Sequence, residues 1–265
     1  MIDERLIRGL HVETAALADL GADGGAAVHE VFQASTLAAL LAGAFDGDLT
    51  FAELARHGDL GIGTLNGLDG EMICVDGRFW RAGVDGDVSE IPPHARTPFA
   101  VVTRFAPTVE LELEGPLSHR ELVTELNRHA HPGSPTCAVR ADGEFELVHA
   151  RSVPRQRPPY RTLAEVAADQ HELDFEDVAG TIVGFRFPDY AEGIELPGYH
   201  LHFVDAERRR GGHVLDCRPR RLHVQIDHSS HLHMELPPGV ELPDPAAAGG
   251  SAGSRAALRR IEGGK

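Results

Sequence analysis

The chain has 265 residues, of which 42% are hydrophobic, and this is enough for one large domain or two small ones. It carries 25 basic and 41 acidic residues, a formal charge of −16, which argues against nucleic acid or an acidic membrane surface as a partner. Three cysteines without a CxxC pair, and an N-terminus without a long apolar run, favour a cytoplasmic protein with no signal peptide or membrane span.

Two short helices open the N-terminal α/β domain that we predict over residues 28–153, after a loosely held leader over residues 1–27. Ser35 begins an apolar run and is expected to cap the first helix. Thr50 is followed three residues later by Glu53, which is the spacing of a capping box at the start of the second helix.

Strands and tight turns follow these helices. Asp-Gly pairs at 76–77 and 142–143 lie between alternating apolar and polar runs, which predicts a β-hairpin at each pair. Glu71 shares one strand face with Ile73 and Val75. A carboxylate on an apolar face needs a partner, because burying an unpaired charge is costly. Glu71 is therefore either paired with a nearby arginine or part of a functional site.

A proline-rich segment at 153–160 marks the predicted boundary with a second, β-rich domain over 154–240, which a linker and tail follow at 241–265. The prolines cannot continue a strand, since they lack the backbone donor that strand pairing needs. Arg151 and Arg155 flank this boundary. The planar fork of arginine donors suits carboxylate or enolate oxygens, although a surface ion pair is the favoured interpretation for Arg155.

The histidines of the second domain carry the most specific chemical signal. His200 and His202 lie two apart in a β-prone run, so their side chains point to the same strand face. If residues 206–210 turn the chain back as a hairpin, His213 lies opposite His202. Three neutral imidazoles around one point, with room for an open position, are the usual protein half of a catalytic zinc site.

Two other His-x-His pairs compete with this interpretation. They are His129/His131 and His231/His233. The first pair follows a predicted helix and precedes Pro-Gly, so a surface position is expected. The second pair lies in an alternating run typical of a strand, but it lacks a well-placed third ligand. Half-buried strand histidines that bond to their neighbours are also common, so spacing alone leaves the metal interpretation open.

A cupin-like metal enzyme, such as an iron oxygenase, is the alternative architecture. There a glutamate follows His-x-His by four or five residues, and Glu207 lies five residues after His202. Glu207 lies, however, within Glu-Arg-Arg-Arg, which predicts an exposed turn, and a second cupin motif is missing. A non-catalytic metal-binding module is the third interpretation of the same residues.

Six segments, in this order and spacing, resemble the alpha-acetolactate decarboxylase family over residues 28–240. They are residues 61–71, 98–105, 150–156, 184–188, 198–203 and 211–216. The resemblance implies an α/β (α+β) fold of two domains on mixed, largely antiparallel sheets, the second sheet barrel-like, often in a homodimer. It also implies decarboxylation of 2-acetolactate to (R)-acetoin and CO₂ without an organic cofactor.

The resemblance further implies a zinc centre. Its ligands would be His200, His202 and His213, with Glu71 beside them as a ligand or an acid/base group. Zinc chelated by the oxygens of the substrate acts as a Lewis acid and stabilises the enediolate charge that forms when CO₂ leaves.

Three more residues take roles from the same resemblance. Arg151 would contact the reacting substrate, and its charge would add electrostatic stabilisation. Thr64 matches a substrate-pocket position. The family uses a glutamate near its C-terminus that reaches the metal site, and Glu262 is the best match here. Arg151, Glu71 and Glu262 are the candidates for the proton donor that completes acetoin.

Overall fold

Two β-sheets carry most of the chain in the computed structural model, which describes residues 11–13, 29–130, 136–229 and 231–237. The strands are β1 His11–Glu13, β2 Glu30–Ala34, β3 Leu49–Thr50, β4 Leu60–Thr64, β5 Glu71–Val75, β6 Arg78–Ala82, β7 Val88–Glu90, β8 Arg96–Thr97, β9 Ala100–Thr103, β10 Val109–Glu114, β11 Thr136–Ser152, β12 His171–Phe187, β13 Gly198–Asp205, β14 Gly211–Ser229 and β15 His231–Glu235. The α-helices within these ranges are α1 Leu37–Leu41, α2 Phe51–Leu54, α3 His119–His129 and α4 Leu163–Ala167.

The first sheet has the order β1-β15-β2-β9-β4-β5-β6-β7, and the second has the order β10-β14-β11-β12-β13. Only β1, β15 and β2 pair in parallel within the described strands. β13 also pairs with β14, so four strands of the second sheet close into a ring. The expected class, an α/β (α+β) fold on mixed and largely antiparallel sheets, is confirmed, and the second sheet is ring-like.

The two sheets exchange segments along the chain. β10 and β11 precede residue 153 yet belong to the second sheet, and β15 follows it yet belongs to the first. The division into domains over 28–153 and 154–240 therefore does not coincide with sheet membership, and it stays a prediction. Residues 241–265 and, apart from β1, residues 1–27 lie outside the described part of the chain.

Side-chain caps fix where the first helices begin. The capping box is confirmed: Thr50 Oγ1 accepts from the Glu53 backbone at 3.2 Å, and Glu53 Oε2 accepts from the Thr50 backbone at 2.9 Å. The expected cap at Ser35 is wrong by one residue. Thr36 caps α1, accepting from the Ala39 backbone at 3.2 Å. Ser35 has a φ of 66°, so it lies in a left-handed bend before the helix.

The two predicted Asp-Gly turns have different outcomes. Asp76 and Gly77 both have positive φ, 53° and 71°, and they join β5 to β6 as predicted. The hairpin predicted at 142–143 is wrong, because β11 runs through both residues without a turn. Gly143 pairs with β12 on one side and β14 on the other. A Cβ there would lie 2.0 Å from the Arg221 carbonyl oxygen, so close strand approach explains this glycine.

Gly143→Ala is expected to lower the free energy of unfolding by about 2–4 kcal/mol, because the methyl group forces apart two strands of the ring. Urea unfolding followed by circular dichroism measures the change. Glu144→Ala is the matched control, since the neighbouring Glu144 is exposed and should shift stability by less than about 0.5 kcal/mol. Equal stability of Gly143→Ala and wild type would contradict the steric explanation.

A shared hydrophobic core joins the two sheets. Ile73 and Val101 of the first sheet belong to one buried cluster with Val183 and Val204 of the second. β13 contacts β5 across this core, so one face of β13 is turned toward the strand that begins with Glu71. No helix in the described ranges is long and apolar enough to cross a membrane. The three cysteines are buried and free of disulfides.

Candidate metal centre

Three histidines meet on the hairpin of β13 and β14. His200 and His202 lie on one face of β13, and His213 is the direct partner of His202 across the hairpin, as predicted. The three ring centroids are 4.9–5.3 Å apart, and one ligand atom from each ring lies within 4.8 Å of the others. All three side chains are buried. Within the described residues, they form the only such group of three.

Asp205 holds the turn of this hairpin. It is buried at the end of β13, and its backbone N–H donates to the Arg210 carbonyl at 2.8 Å. Its side chain accepts from the Arg209 backbone at 2.7 Å and from Arg210 Nε at 3.1 Å. These bonds fix the length and register of the turn, and therefore the position of His213 opposite His202.

The surroundings of two of the rings suit metal binding. His202 Nδ1 lies 2.8 Å from the Met72 carbonyl, which can only accept, so Nδ1 carries a hydrogen, and in the neutral ring Nε2 is the nitrogen that offers a lone pair. Burial, and to a smaller extent the nearby charge of Arg151, lower the pKa of His200 to about 3. A neutral imidazole is the form that binds a metal ion.

A buried ion pair forms the wall opposite the histidines. Arg151 Nη1 donates to Glu71 Oε1 at 3.2 Å, and Glu71 Oε2 lies 3.6 Å from His202 Nε2. Arg151 pairs in register with His213 between β11 and β14, which explains why both side chains reach the same place. The two alternatives predicted for Glu71 are therefore both present: its carboxylate is paired with an arginine, and it also faces the histidines.

Apolar residues complete the pocket around these groups. Its lining comprises Leu37, Leu40, Gly63, Thr64, Leu68, Glu71, Phe99, Arg151, Val153, Leu163 and the three histidines. Thr64 lies on the pocket wall as expected, and its hydroxyl donates to the Gly70 carbonyl at 2.8 Å. The leucines of α1 and α4 were not anticipated as site residues, because their sequence pattern indicates only helices with a buried face.

The competing histidine pairs do not build a second centre in the described ranges. His233 points to the other face of the first sheet, since its neighbours Leu232 and Met234 belong to the shared core. Its ring packs against Phe32 and His57, with centroids 5.4 and 6.1 Å away. His131 lies outside the described residues, and His129 ends α3 on the surface.

The other candidate residues are also placed. Glu207 lies at the exposed tip of the hairpin, paired with Arg209. It is therefore not the glutamate ligand that a cupin-like site would require. Arg155 is a largely exposed ion-pair partner of Asp69 at 3.3 Å, which confirms the surface interpretation. Glu262 lies outside the described residues.

This donor set fits a metal ion. Three imidazoles converge, one carboxylate lies beside them, and the remaining pocket wall is mostly apolar. Imidazole nitrogen suits zinc and other transition metals, and three protein ligands leave a coordination position for a substrate.

Comparison with known proteins identifies the family. The alpha-acetolactate decarboxylase family model matches residues 31–242. The chain belongs to this family. The alpha-acetolactate decarboxylase of Methylococcus capsulatus is 47% identical over 209 residues, covering 79% of this chain and 80% of the relative. That of Methanosarcina mazei is 43% identical over 207 residues, covering 78% of this chain and 72% of the relative.

The fold agrees with a solved alpha-acetolactate decarboxylase. The crystal structure of the enzyme from Bacillus subtilis strain 168 superposes with a TM-score of 0.81 at 35% identity. The match covers 88% of this chain and 99% of that chain. The family resemblance of the sequence motifs and the similarity of the folds thus lead to the same assignment.

Proposed function

We propose that the protein is a zinc-dependent decarboxylase that converts 2-acetolactate to (R)-acetoin and CO₂. The observation that carries the proposal is the buried triad of His200, His202 and His213 facing the Glu71–Arg151 pair in one pocket. The names of the relatives, all alpha-acetolactate decarboxylases, support the substrate.

The histidines would hold the zinc ion through neutral imidazole nitrogens. When bound, zinc supplies a Lewis acid for the substrate's oxygens. Arg151 then contributes a second positive charge from the opposite wall, where burial strengthens its action on developing negative charge. We assign it electrostatic stabilisation and not proton transfer, because a guanidinium does not lose its proton in proteins.

We assign to Glu71 the transfer of the proton that completes the product. The C–C bond to the carboxylate breaks, CO₂ leaves, and the electron pair spreads onto the neighbouring ketone oxygen. One proton, taken from water and carried by the Glu71 carboxyl, then adds to the carbon that lost CO₂. Glu71 faces the pocket from a single side, so protonation on one face gives one enantiomer. The contribution of Glu262 stays a prediction.

The apolar wall has two roles in this scheme. Leu37, Leu40 and Leu163 would contact the two methyl groups of the substrate and keep bulk water from the reacting carbon. Exclusion of water strengthens the interaction of Arg151 with the substrate, since the local dielectric constant falls.

The purified protein is expected to form acetoin from racemic acetolactate without added thiamine diphosphate or nucleotide. A chelator should abolish turnover, and zinc should restore it. Colour assay, metal analysis and chiral chromatography of the product measure these three results. Oxygen consumption with iron dependence would support an oxygenase instead, and bound zinc without turnover would support a non-catalytic module.

The homodimer that the family resemblance implies is tested by sedimentation equilibrium.

A further inference from the structure

We propose that Asp69 is a positioning residue. Arg81 and Arg155 hold Asp69 in place, and Asp69 in turn keeps Glu71 within hydrogen-bonding distance of Arg151. The inference deepens the proposed function and rests on it for its kinetic test. Asp69 lies two residues before Glu71, in the turn that joins β4 to β5. It does not line the pocket and would act only through Glu71.

The turn before Glu71 has an unfavourable backbone. Gly67, Leu68 and Gly70 all lie in the left-handed region, with φ of 70°, 52° and 94°. Leu68 is not a glycine, so this conformation carries strain. Local preference alone does not hold such a turn, and bonds from outside must contribute.

Asp69 receives the strongest of these bonds. Arg81 Nε donates to the Asp69 backbone carbonyl at 2.7 Å, and Arg81 Nη2 donates to Asp69 Oδ1 at 2.6 Å. Arg155 Nη1 lies 3.3 Å from the other oxygen, Oδ2. Arg81 thus fixes both the backbone and the side chain of Asp69. Arg155 is more exposed, so solvent screens its contribution more.

The same contacts join the two halves of the catalytic pair. Arg155 and Gln156 lie on the segment that follows β11, which ends one residue after Arg151. The Gln156 backbone N–H donates to the Gly67 carbonyl at 2.6 Å, and Arg155 contacts Asp69. The turn before Glu71 and the segment after Arg151 are therefore linked at two points. These two links on one side, and the pairing of β5 with β4 on the other, fix Glu71 so that its carboxylate lies 3.2 Å from Arg151 Nη1.

A double-mutant cycle tests whether Asp69 acts through Glu71. Asp69→Ala is expected to lower kcat by about 10- to 100-fold, because a small misplacement of a reacting group has effects of this size. KM and zinc content should change by less than about 3-fold, since the histidines lie on a different hairpin. In the Glu71→Gln background the same substitution should have almost no effect on kcat.

Glu90→Ala is the matched control. It breaks the exposed Arg78–Glu90 pair next to the same β5–β6 hairpin, away from the turn at 66–70. Its kcat should stay within about 2-fold of wild type. A purely structural role of Asp69 would lower kcat equally in both backgrounds, and that additivity would overturn the inference. If Asp69→Ala does not fold, the same cycle with Asp69→Asn, which keeps the size of the side chain and removes its charge, decides.

Crystal structures separate this inference from the proposed function. An inactive wild-type enzyme refutes the proposed function, and the position of Glu71 then decides about Asp69. In Asp69→Ala the Glu71–Arg151 contact should lengthen beyond hydrogen-bonding distance. An unchanged contact overturns the inference, whatever the activity.

Discussion

Replacing His213 with alanine should abolish zinc binding and reduce acetoin formation by at least about 10³-fold. The two histidines of β13 remain, but two imidazoles alone do not hold zinc in a three-histidine site. Loss of an outer partner of a metal ligand already lowers affinity or activity by about 10- to 100-fold, so loss of a ligand must have a larger effect. Metal analysis after gel filtration and the acetoin colour assay measure both quantities.

His223→Ala is the control for this experiment. His223 lies on the same strand, β14, but its partly exposed ring pairs with Glu112 at the surface. This variant should keep the zinc content and turnover of wild type within about 2-fold. Retention of both zinc and activity in His213→Ala, or in His200→Ala, would show that the three histidines are not the metal site.

Arg151→Gln should reduce kcat by about 10²- to 10³-fold, the range typical of removing one group that stabilises transition-state charge. In metal-free protein it should also lower the free energy of unfolding by about 3–5 kcal/mol, because the buried Glu71 carboxylate loses its cation. Urea unfolding of the chelated protein and steady-state kinetics measure the two effects.

The double variant Glu71→Gln/Arg151→Gln separates stability from catalysis. Two neutral amides replace the ion pair, so much of the lost unfolding free energy should return. Activity should not return, since neither the charge nor the titratable carboxyl is restored. Arg78→Gln, at an exposed ion pair, serves as the control and should change neither quantity. Recovery of kcat in the double variant would contradict the assigned roles.

The ligand hairpin could be predicted from the sequence because its determinants are local. The alternation of side chains along β13 places His200 and His202 on one face. The charged turn before His213 then brings the third ring back to the same place. Periodicity and turn chemistry act over a few residues, so a reader of the sequence can apply them directly.

The opposite wall could be located only by resemblance. Glu71 and Arg151 are 80 residues apart, and no local pattern states that they meet. Their contact depends on how the first sheet packs against the ring. The Asp142-Gly143 error has a similar origin: its sequence is that of a turn, but the strands on both sides of β11 require a glycine there for space.

The apolar pocket wall was missed for another physical reason. Leu37 and Leu40 lie on α1, a helix of five residues whose apolar face is equally consistent with ordinary core packing. Burial alone does not distinguish a leucine that contacts a substrate from one that contacts only protein. The distinction depends on a cavity, which is a property of the assembled fold.

The turn that Asp205 holds at the end of β13 has a consequence for how this enzyme can vary among its relatives. Surface turns usually tolerate inserted and deleted residues. Here one residue more or fewer would carry His213 to the opposite face of the sheet. The side chains of Glu207 and Arg209 are exposed, so other residues can replace them. The number of residues between Asp205 and Gly211, in contrast, cannot change. The length of this loop, which contains none of the three histidines, therefore decides whether their rings converge.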